Sequence, residues 1–219
     1  AQVERTAVRD RICSARSAKL ILVRAPAGYG KTTLMAQVKA HLRATGVGTA
    51  WVTIDRADND VSRLLQCLEQ AVVALDGEDS PGADAVDSLC AMRAPFVLFL
   101  DEFEVLHEPA AIGLVQEILE RLPRQGQLVI GTRNLPDLGL ARLRARGDLL
   151  EVDAEALRFS LPEARQYFSL RQKEGLPADV FVQLHQRTEG WIAGLWMASL
   201  ALDRHEDGSA FVQRFSGST

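Results

Sequence analysis

The sequence has few of the residues that build metal centres and disulfide frameworks. Its 219 residues include three cysteines and four histidines. Cys13, Cys67 and Cys90 are odd in number and far apart, so they fit neither a disulfide framework nor a C-x-x-C metal pair. This pattern favours reduced thiols in a cytoplasmic protein, and the histidines show no spacing typical of a metal site or a catalytic triad.

Long apolar runs and an excess of basic charge are also missing. No apolar run approaches the ~20 residues that a membrane helix needs, and no signal peptide pattern is present. The 25 basic and 29 acidic residues give a net charge of −4. Bulk charge therefore gives no reason to expect a nucleic acid or a membrane as a partner. Because the chain starts at Ala1 instead of methionine, we expect a piece of a longer protein.

The chain alternates between short apolar runs and amphipathic helical patterns. This alternation predicts βαβ units in a three-layer P-loop-type α/β fold with a five-stranded parallel sheet. From Leu161 onward the pattern is helical only, so we expect an α/β domain over 1–158 and a small all-helical subdomain over 159–219. The Gly-, Pro- and acid-rich segment Asp76–Asp84 is predicted to be a loop and the best candidate for local disorder. Strands are predicted at 19–24, 49–54, 96–100, 128–131 and 149–152.

A Gly-rich loop between the first strand and the first long helix carries the strongest motif. The segment Ile21–Leu34 reads ILVRAPAGYGKTTL, and Gly30-Lys31-Thr32 matches the second half of the phosphate loop G-x-x-x-x-G-K-[ST]. Ala25 stands where the first glycine of that motif is expected. Backbone N–H groups at such a helix N-terminus bind phosphate oxygens, and the helix dipole favours negative charge there. The candidate nucleotide-binding residues are Ala27, Gly28, Tyr29, Gly30, Lys31, Thr32 and Thr33.

Two acids follow the most apolar strand of the sequence. The run Phe96–Leu100 (FVLFL) ends in Asp101-Glu102, which is the position of a Walker B motif. We expect Asp101 and the Thr32 hydroxyl to hold Mg²⁺, and Lys31 to reach the β- and γ-phosphates. Glu102 is the candidate base that activates the attacking water.

An arginine is predicted to complete the catalytic set. The fourth strand ends in Thr132-Arg133-Asn134, and ligands of open parallel sheets bind at the carboxyl ends of the strands. Arg133 is therefore a candidate contact of the γ-phosphate, which distinguishes ATP from ADP. The basic cluster at Arg142, Arg144 and Arg146 fits a solvated helix face better than a DNA contact.

Several of these segments together resemble one protein family. The chain is similar, over nearly its whole length, to the nucleotide-binding domain of MalT-like, large LuxR-type bacterial transcription regulators, which belong to the STAND class of P-loop NTPases. Because the segments occur in the family's order, the combination is far more specific than any one of them. They are APAGYGKTTL at 25–34, AWVTIDRADND at 50–60, LFLDEFEVL at 98–106, the arginine-rich stretch at 131–160, TEGWIAGLWMASLAL at 188–202 and FSGST at 215–219.

The resemblance implies a function and its residues. It implies an ATP-on, ADP-off switch in which inducer and ATP promote self-association and slow hydrolysis resets the protein. The helical segment Gly190–Leu195 would close over the nucleotide, and inducer and DNA would bind only through regions absent from this chain. The implied roles are phosphate contacts at Gly28, Gly30, Lys31, Thr32 and Thr33, Mg²⁺-linked and hydrolytic acids at Asp101 and Glu102, and a sensor arginine at Arg133.

The residues also leave other functions open. One is a nucleotide-gated assembly module without significant hydrolysis, which the sequence separates poorly from an ATPase. Another is an AAA-type DNA-associated ATPase, against which stand the acidic net charge and the lack of basic–aromatic stripes. A kinase is a third alternative, and it does not explain the paired acids Asp101 and Glu102.

Overall fold

A computed structural model describes residues 2–76, 84–171 and 177–202. It divides the chain into two compact units. The sheet unit comprises residues 6–26 and 31–153; the helical unit comprises residues 2–5 and 27–30 with the described residues from Ala154 to Leu202. The domain boundary predicted at residue 158 lies shortly after the end of the sheet unit, and that boundary stays a prediction. The predicted loop residues 77–83 and the FSGST segment at 215–219 lie outside the described residues.

Five parallel strands form one sheet with the order β2-β3-β4-β1-β5. Every residue of β3 is buried, as expected for a parallel strand that is covered on both faces. The predicted α/β class and the five-stranded parallel sheet are therefore confirmed. The strands are β1 (Leu20–Arg24), β2 (Gly48–Thr53), β3 (Phe96–Asp101), β4 (Gly126–Thr132) and β5 (Leu149–Val152).

Helices connect the strands and bury their apolar stripes against the sheet. The helix Val61–Asp76 (α3) shows the pattern clearly, because Leu64 and Leu68 are fully buried in the core that also contains Leu22, Leu98 and Leu128. No described helix is both long and apolar enough to cross a membrane. The helices of this unit are α1 (Thr6–Ser14), α2 (Lys31–Ala44), α3 (Val61–Asp76), α4 (Ala85–Ala91), α5 (Pro109–Arg121) and α6 (Leu140–Arg146), with short 3-10 helices at Arg56–Asn59 and Phe103–Val105.

The helical unit has its own apolar core. Phe168 and Phe181 pack edge to face with ring centroids 5.5 Å apart, and Leu184 and Leu195 are fully buried beside them. Ser160 caps the N-terminus of the helix Leu161–Leu170 and forms a capping box with Glu163. The helices are α7 (Ala154–Leu157), α8 (Leu161–Leu170), α9 (Ala178–Thr188) and α10 (Ile192–Leu202).

A buried arginine ties the N-terminal segment into the helical unit. Arg5 is 4% exposed, and its Nε lies 3.0 Å from Oε1 of Glu163. Its guanidinium also donates to the backbone oxygens of Leu157 at 2.6 Å, Ala156 at 3.0 Å and Arg158 at 3.1 Å. Burial lowers the pKa of Arg5, and Glu163 opposes that shift. This planar fork of donors satisfies carbonyl groups at the end of α7.

Candidate functional site

In the sheet unit, the helix after the Gly-rich loop begins next to the acid that ends β3. Asp101 is 2% exposed, and its Oδ2 accepts a hydrogen bond of 2.7 Å from the Thr32 hydroxyl. Its Oδ1 accepts a 3.0 Å bond from the backbone N–H of Glu102. The structure thus brings together the two residues predicted to hold Mg²⁺, and their metal-binding role stays a prediction.

A glycine on the neighbouring strand makes room for this acid. A Cβ atom added to Gly131 of β4 would lie 2.6 Å from Oδ1 of Asp101 and 2.6 Å from Sδ of Met35. A side chain at Gly131 would therefore displace the buried carboxylate. Sequence reasoning missed this role, because it depends on β3 lying beside β4 in the sheet.

Lys31 is buried and engages its own loop. The residue is 7% exposed, and its Nζ donates to the backbone oxygens of Ala25 at 2.9 Å and Pro26 at 3.3 Å. Burial lowers the pKa of Lys31, and the negative charge of Glu104 is the largest opposing influence.

Among the described non-glycine residues only Glu102 and Glu189 have positive φ. Ala25 therefore has an ordinary backbone conformation, and the motif's missing glycine is not required there.

Arg133 lies between two carboxylates that follow β3. Its Nη2 donates to Oε2 of Glu102 at 3.3 Å, and its Nε lies 2.6 Å from Oε1 of Glu104. The backbone N–H of Arg133 also donates to Oε2 of Glu104 at 3.2 Å. Glu104 was not among the predicted site residues. Its only signal in the sequence is a third acid shortly after the Walker B pair.

Glu102 is held in an unusual backbone conformation. Its φ of 57° and ψ of 33° place it in the left-handed region, where it precedes the short 3-10 helix Phe103–Val105. Non-glycine residues in this region store conformational strain, and such strain is common at functional sites. The strained turn directs the chain away from the sheet directly after Asp101.

The oxygen atoms of Thr32 and Asp101 suit a magnesium ion. Hydroxyl and carboxylate oxygens are hard ligands of the type that Mg²⁺ prefers. Within the described ranges, no group of three or more His, Cys, Asp or Glu residues is arranged to hold a metal ion. A magnesium ion at this pair would therefore need phosphate oxygens and water to complete its coordination.

The middle of the Gly-rich loop belongs to the helical unit. Gly28 and Gly30 both have φ of 79°, and the backbone oxygen of Gly28 accepts a 3.1 Å bond from the N–H of Ala193. A Cβ atom at Gly28 would lie 2.6 Å from Cβ of Ala193, so both the conformation and the close approach require glycine. The ring of Tyr29 is buried and lies 6.3 Å, centroid to centroid, from Trp191.

Other predicted residues have simpler surroundings. Ala27 is exposed, and Thr33 is half-buried in the first turn of α2. Arg142 pairs with Glu120, and Arg144 forms two 2.8 Å bonds with Glu151. Both arginine side chains are about half exposed, at 53% and 47%, in agreement with the interpretation of this cluster as a solvated helix face.

Comparison with known sequences identifies relatives of the chain. It is 29% identical over 238 residues to an HTH-type transcriptional regulator MalT from Klebsiella pneumoniae, which covers 99% of this chain. A second MalT, from another strain of Klebsiella pneumoniae, is 30% identical over 221 residues and covers 91% of the chain. The chain is homologous to the MalT regulators. It spans about a quarter of the length of these relatives, 26% and 24%. No protein-family model matches the chain.

Solved structures with the P-loop NTPase fold superpose on this chain. The Aeropyrum pernix ORC1 protein in complex with DNA superposes with a TM-score of 0.59 at 17% identity, over 97% of this chain and 65% of that chain. Domain III of the Thermotoga maritima replication initiation protein DnaA superposes with a TM-score of 0.58 at 12% identity, over 98% of this chain and 91% of that domain. AMPPCP-bound DnaA from Aquifex aeolicus superposes with a TM-score of 0.56 at 15% identity, over 98% of this chain and 65% of that chain. This MalT homologue therefore has the P-loop NTPase fold.

Proposed function

We propose that this chain is the ATP-binding switch module of a MalT-like transcription regulator. It binds ATP and ADP with Mg²⁺, hydrolyses ATP slowly, and couples its nucleotide state to self-association and transcription activation in the cytoplasm. Homology to MalT supports the regulatory role, and AMPPCP-bound DnaA supports nucleotide binding by this fold.

The observation that carries the proposal is the bond between Thr32 and Asp101. It joins the first turn of the helix after the Gly-rich loop to the end of β3 at 2.7 Å. A hydroxyl and a buried carboxylate in this arrangement are the protein ligands that P-loop NTPases offer to the nucleotide's Mg²⁺.

Each charged residue then has a role in phosphoryl transfer to water. Bound Mg-ATP supplies the phosphoryl group that water attacks. Lys31 neutralises negative charge on the phosphates, and Arg133 contacts the γ-phosphate. Glu102 accepts a proton from the attacking water. Its carboxylate bonds to Arg133 in this structure, so it must leave or share that contact to act as the base.

Calorimetric titration of Mg-ATP and Mg-ADP into the chain tests nucleotide binding directly. We expect saturable binding of both nucleotides and its loss in Lys31→Ala, because the ammonium group neutralises phosphate charge. Lys39→Ala is the matched control, since Lys39 lies further along α2, away from the Gly-rich loop, and its ammonium group lies over the ring of Trp51 on β2. Binding that survives Lys31→Ala, or no binding by the unmodified chain, would contradict the proposal.

The pairing of Glu102 with Arg133 also favours a second candidate, a nucleotide-gated assembly module that does not hydrolyse ATP. Release of phosphate under single-turnover conditions separates the two functions. Hydrolysis that Glu102→Gln abolishes, with ATP binding retained, supports the ATPase. ATP that remains intact in the unmodified chain supports the assembly module.

The partners we propose act on the full-length protein. ATP favours its homo-oligomer, and inducer and DNA bind through regions outside this chain. Light scattering of the full-length protein with Mg-ATP or Mg-ADP, with and without inducer, measures this coupling. If the full-length protein has the same molecular mass with Mg-ATP and with Mg-ADP, the proposed coupling of nucleotide state to self-association is contradicted.

A further inference from the structure

A cavity of about 140 Å³ lies at the amino ends of the strands in the sheet unit. Phe96, the first residue of β3, lines this cavity and is in register with Gly48 and Gly126, the first residues of β2 and β4. The candidate nucleotide site is at the carboxyl ends of the strands, where Asp101 lies. The cavity is therefore separate from that site. Its apolar lining consists of Leu42, Val47, Pro95, Phe96 and Val97.

Two arginines supply the charge of this cavity. Arg16 and Arg124 line it, and both residues are exposed. Among the described lining residues there is no aspartate, glutamate or lysine. Neither guanidinium forms an ion pair with a described residue, whereas Arg121, Arg142 and Arg144 elsewhere in the sheet unit all pair with acids. Two unpaired cations beside an apolar surface favour an anion that carries an apolar group.

Hydrogen bonds from one strand hold the turn that carries Arg16. Nε2 of Gln127 on β4 donates to the backbone oxygens of Ala15 at 2.8 Å and Ala18 at 2.7 Å, which flank Arg16 in sequence. Gln127 itself lines the cavity. The backbone that carries this guanidinium is thus fixed to the sheet, so binding a ligand orders the side chain alone.

The turn that carries Arg124 is fixed in a similar way. The N–H of Gly126 donates to the backbone oxygen of Pro123 at 3.0 Å, and the N–H of Phe96 donates to the backbone oxygen of Gln125 at 3.2 Å. A Cβ atom at Gly126 would lie 2.7 Å from Cζ of Phe96, so glycine makes room for the ring there. The arginine and the aromatic ring are therefore held by one network, and a preformed site of this kind lowers the entropic cost of binding.

We propose that this cavity binds a small aromatic or short-chain aliphatic carboxylate, with its apolar group against Phe96 and its carboxylate paired with Arg16 and Arg124. The volume suits one ring or a short alkyl chain, since an apolar protein cavity of ~150 Å³ holds benzene. Guanidinium groups bind carboxylates through two parallel hydrogen bonds. This inference goes beyond the proposed function and does not depend on nucleotide binding.

Titration of sodium benzoate into the ¹⁵N-labelled chain at constant ionic strength, followed by NMR, tests the inference. We expect saturable binding with a dissociation constant of about 1 mM or below, as typical for a ligand of this size. Amide shifts should concentrate at residues 13–16, 96–97 and 124–127. Benzamide, which has the same shape without the charge, should bind at least about tenfold more weakly.

Substitutions identify the groups that hold the ligand. Arg16→Gln and Arg124→Gln should each weaken benzoate binding by about tenfold, because each removes one charged donor. Arg142→Gln is the matched control, since it removes an exposed arginine on α6, outside the cavity. Val47→Phe should fill the apolar floor and block binding. Thermal unfolding of each variant checks that the chain is folded.

The cysteines give an independent readout of the ligand's location. Cys13 lines the cavity, whereas Cys67 and Cys90 do not. Saturating benzoate should therefore slow alkylation of Cys13 by iodoacetamide and leave the rates at Cys67 and Cys90 unchanged. Burial raises the pKa of the Cys13 thiol, so the reaction is followed at alkaline pH. An unchanged rate at Cys13 would overturn the inference.

Further results would also overturn it. Equal affinity for benzoate and benzamide would show that the arginines do not select a charge. Benzoate binding that is unchanged in both arginine variants, or absent at about 10 mM benzoate, would exclude the site. Displacement of benzoate by Mg-ATP would place benzoate at the candidate nucleotide site. Failure of the chain to bind nucleotide, with benzoate bound as expected, would overturn the proposed function alone.

Discussion

The Thr32 hydroxyl donates to Oδ2 of Asp101 across 2.7 Å, although 69 positions separate the two residues in the chain. The bond joins the first turn of α2 to the end of β3, so it connects the two halves of the predicted magnesium site. In the absence of a metal, it also supplies the buried carboxylate with a hydrogen-bond donor. We therefore expect loss of this hydroxyl to reduce both the stability of the fold and the predicted metal binding.

Thr32→Val should remove the dependence of ATP binding on Mg²⁺. Valine keeps the shape of the side chain but lacks the hydroxyl, and it leaves the buried Asp101 with one donor fewer. We expect the free energy of unfolding to fall by about 1–2 kcal/mol. Calorimetry with and without Mg²⁺ measures the first effect, and urea unfolding measures the second. Thr32→Ser should behave like the unmodified chain; a Mg²⁺ dependence that persists in Thr32→Val would disprove the assignment.

Glu102→Gly should stabilise the fold while it removes hydrolysis. Glycine relieves the strain of the left-handed conformation at φ 57° and lacks the carboxylate that is predicted to activate water. We expect Glu102→Gly to be about 1 kcal/mol more stable than Glu102→Ala, which lacks the same carboxylate but keeps the strain. Urea unfolding of the two variants compares them directly. If the Glu102→Ala variant has the same unfolding free energy as the Glu102→Gly variant, the turn at this position is not strained.

Nucleotide affinity should fall as the pH rises through the pKa of Lys31. Burial holds this pKa below 10.5 in the free chain, and a bound phosphate would raise it because negative charge favours the ammonium form. Between the free and bound pKa values, binding therefore takes up a proton. Calorimetry in two alkaline buffers of different ionisation enthalpy measures the protons exchanged. Proton release on binding would contradict the predicted Lys31–phosphate contact.

The stability of the free chain should respond to pH with the opposite sign. Because the folded-state pKa of Lys31 is lowered, the unfolded state binds more protons between that value and 10.5. Lys31 therefore lowers the free energy of unfolding by its largest amount below the folded-state pKa. This destabilisation disappears as the pH rises from the folded-state pKa to 10.5. The difference in unfolding free energy between the unmodified chain and Lys31→Met isolates this contribution. A difference that does not change with pH would contradict burial as the cause.

Arg5→Ala should destabilise the helical unit locally. It leaves three backbone oxygens and the Glu163 carboxylate without their guanidinium. We expect a loss of about 3 kcal/mol, measured as the local opening free energy of the α8 amides by hydrogen exchange. Arg5→Lys should not restore it, because an ammonium cannot reproduce the planar fork. Arg142→Ala removes an exposed ion pair and serves as the control, with an expected change within about 0.5 kcal/mol.

Local sequence patterns predicted the sheet well. The apolar run Phe96–Leu100 predicted a strand that is covered on both faces, because only such a strand excludes polar residues at every position. Gly28 and Gly30 of the phosphate loop both have positive φ, a conformation that glycine adopts without strain. Burial and backbone conformation of this kind depend mainly on residues close in sequence. The roles of Lys31, Asp101 and Arg133 in nucleotide binding stay predictions.

The sequence by itself therefore determined the fold class and the candidate phosphate loop. Tertiary structure decided which distant residues complete the site. Glu104 contacts Arg133, and Gly131 makes room for Asp101, only because β3 and β4 are neighbours in the sheet. Strand order depends on how all the helices pack against both faces, which no local pattern encodes. Arg5 likewise reaches its partners more than 150 positions away, because the N-terminal segment lies beside the end of α7 and the start of α8.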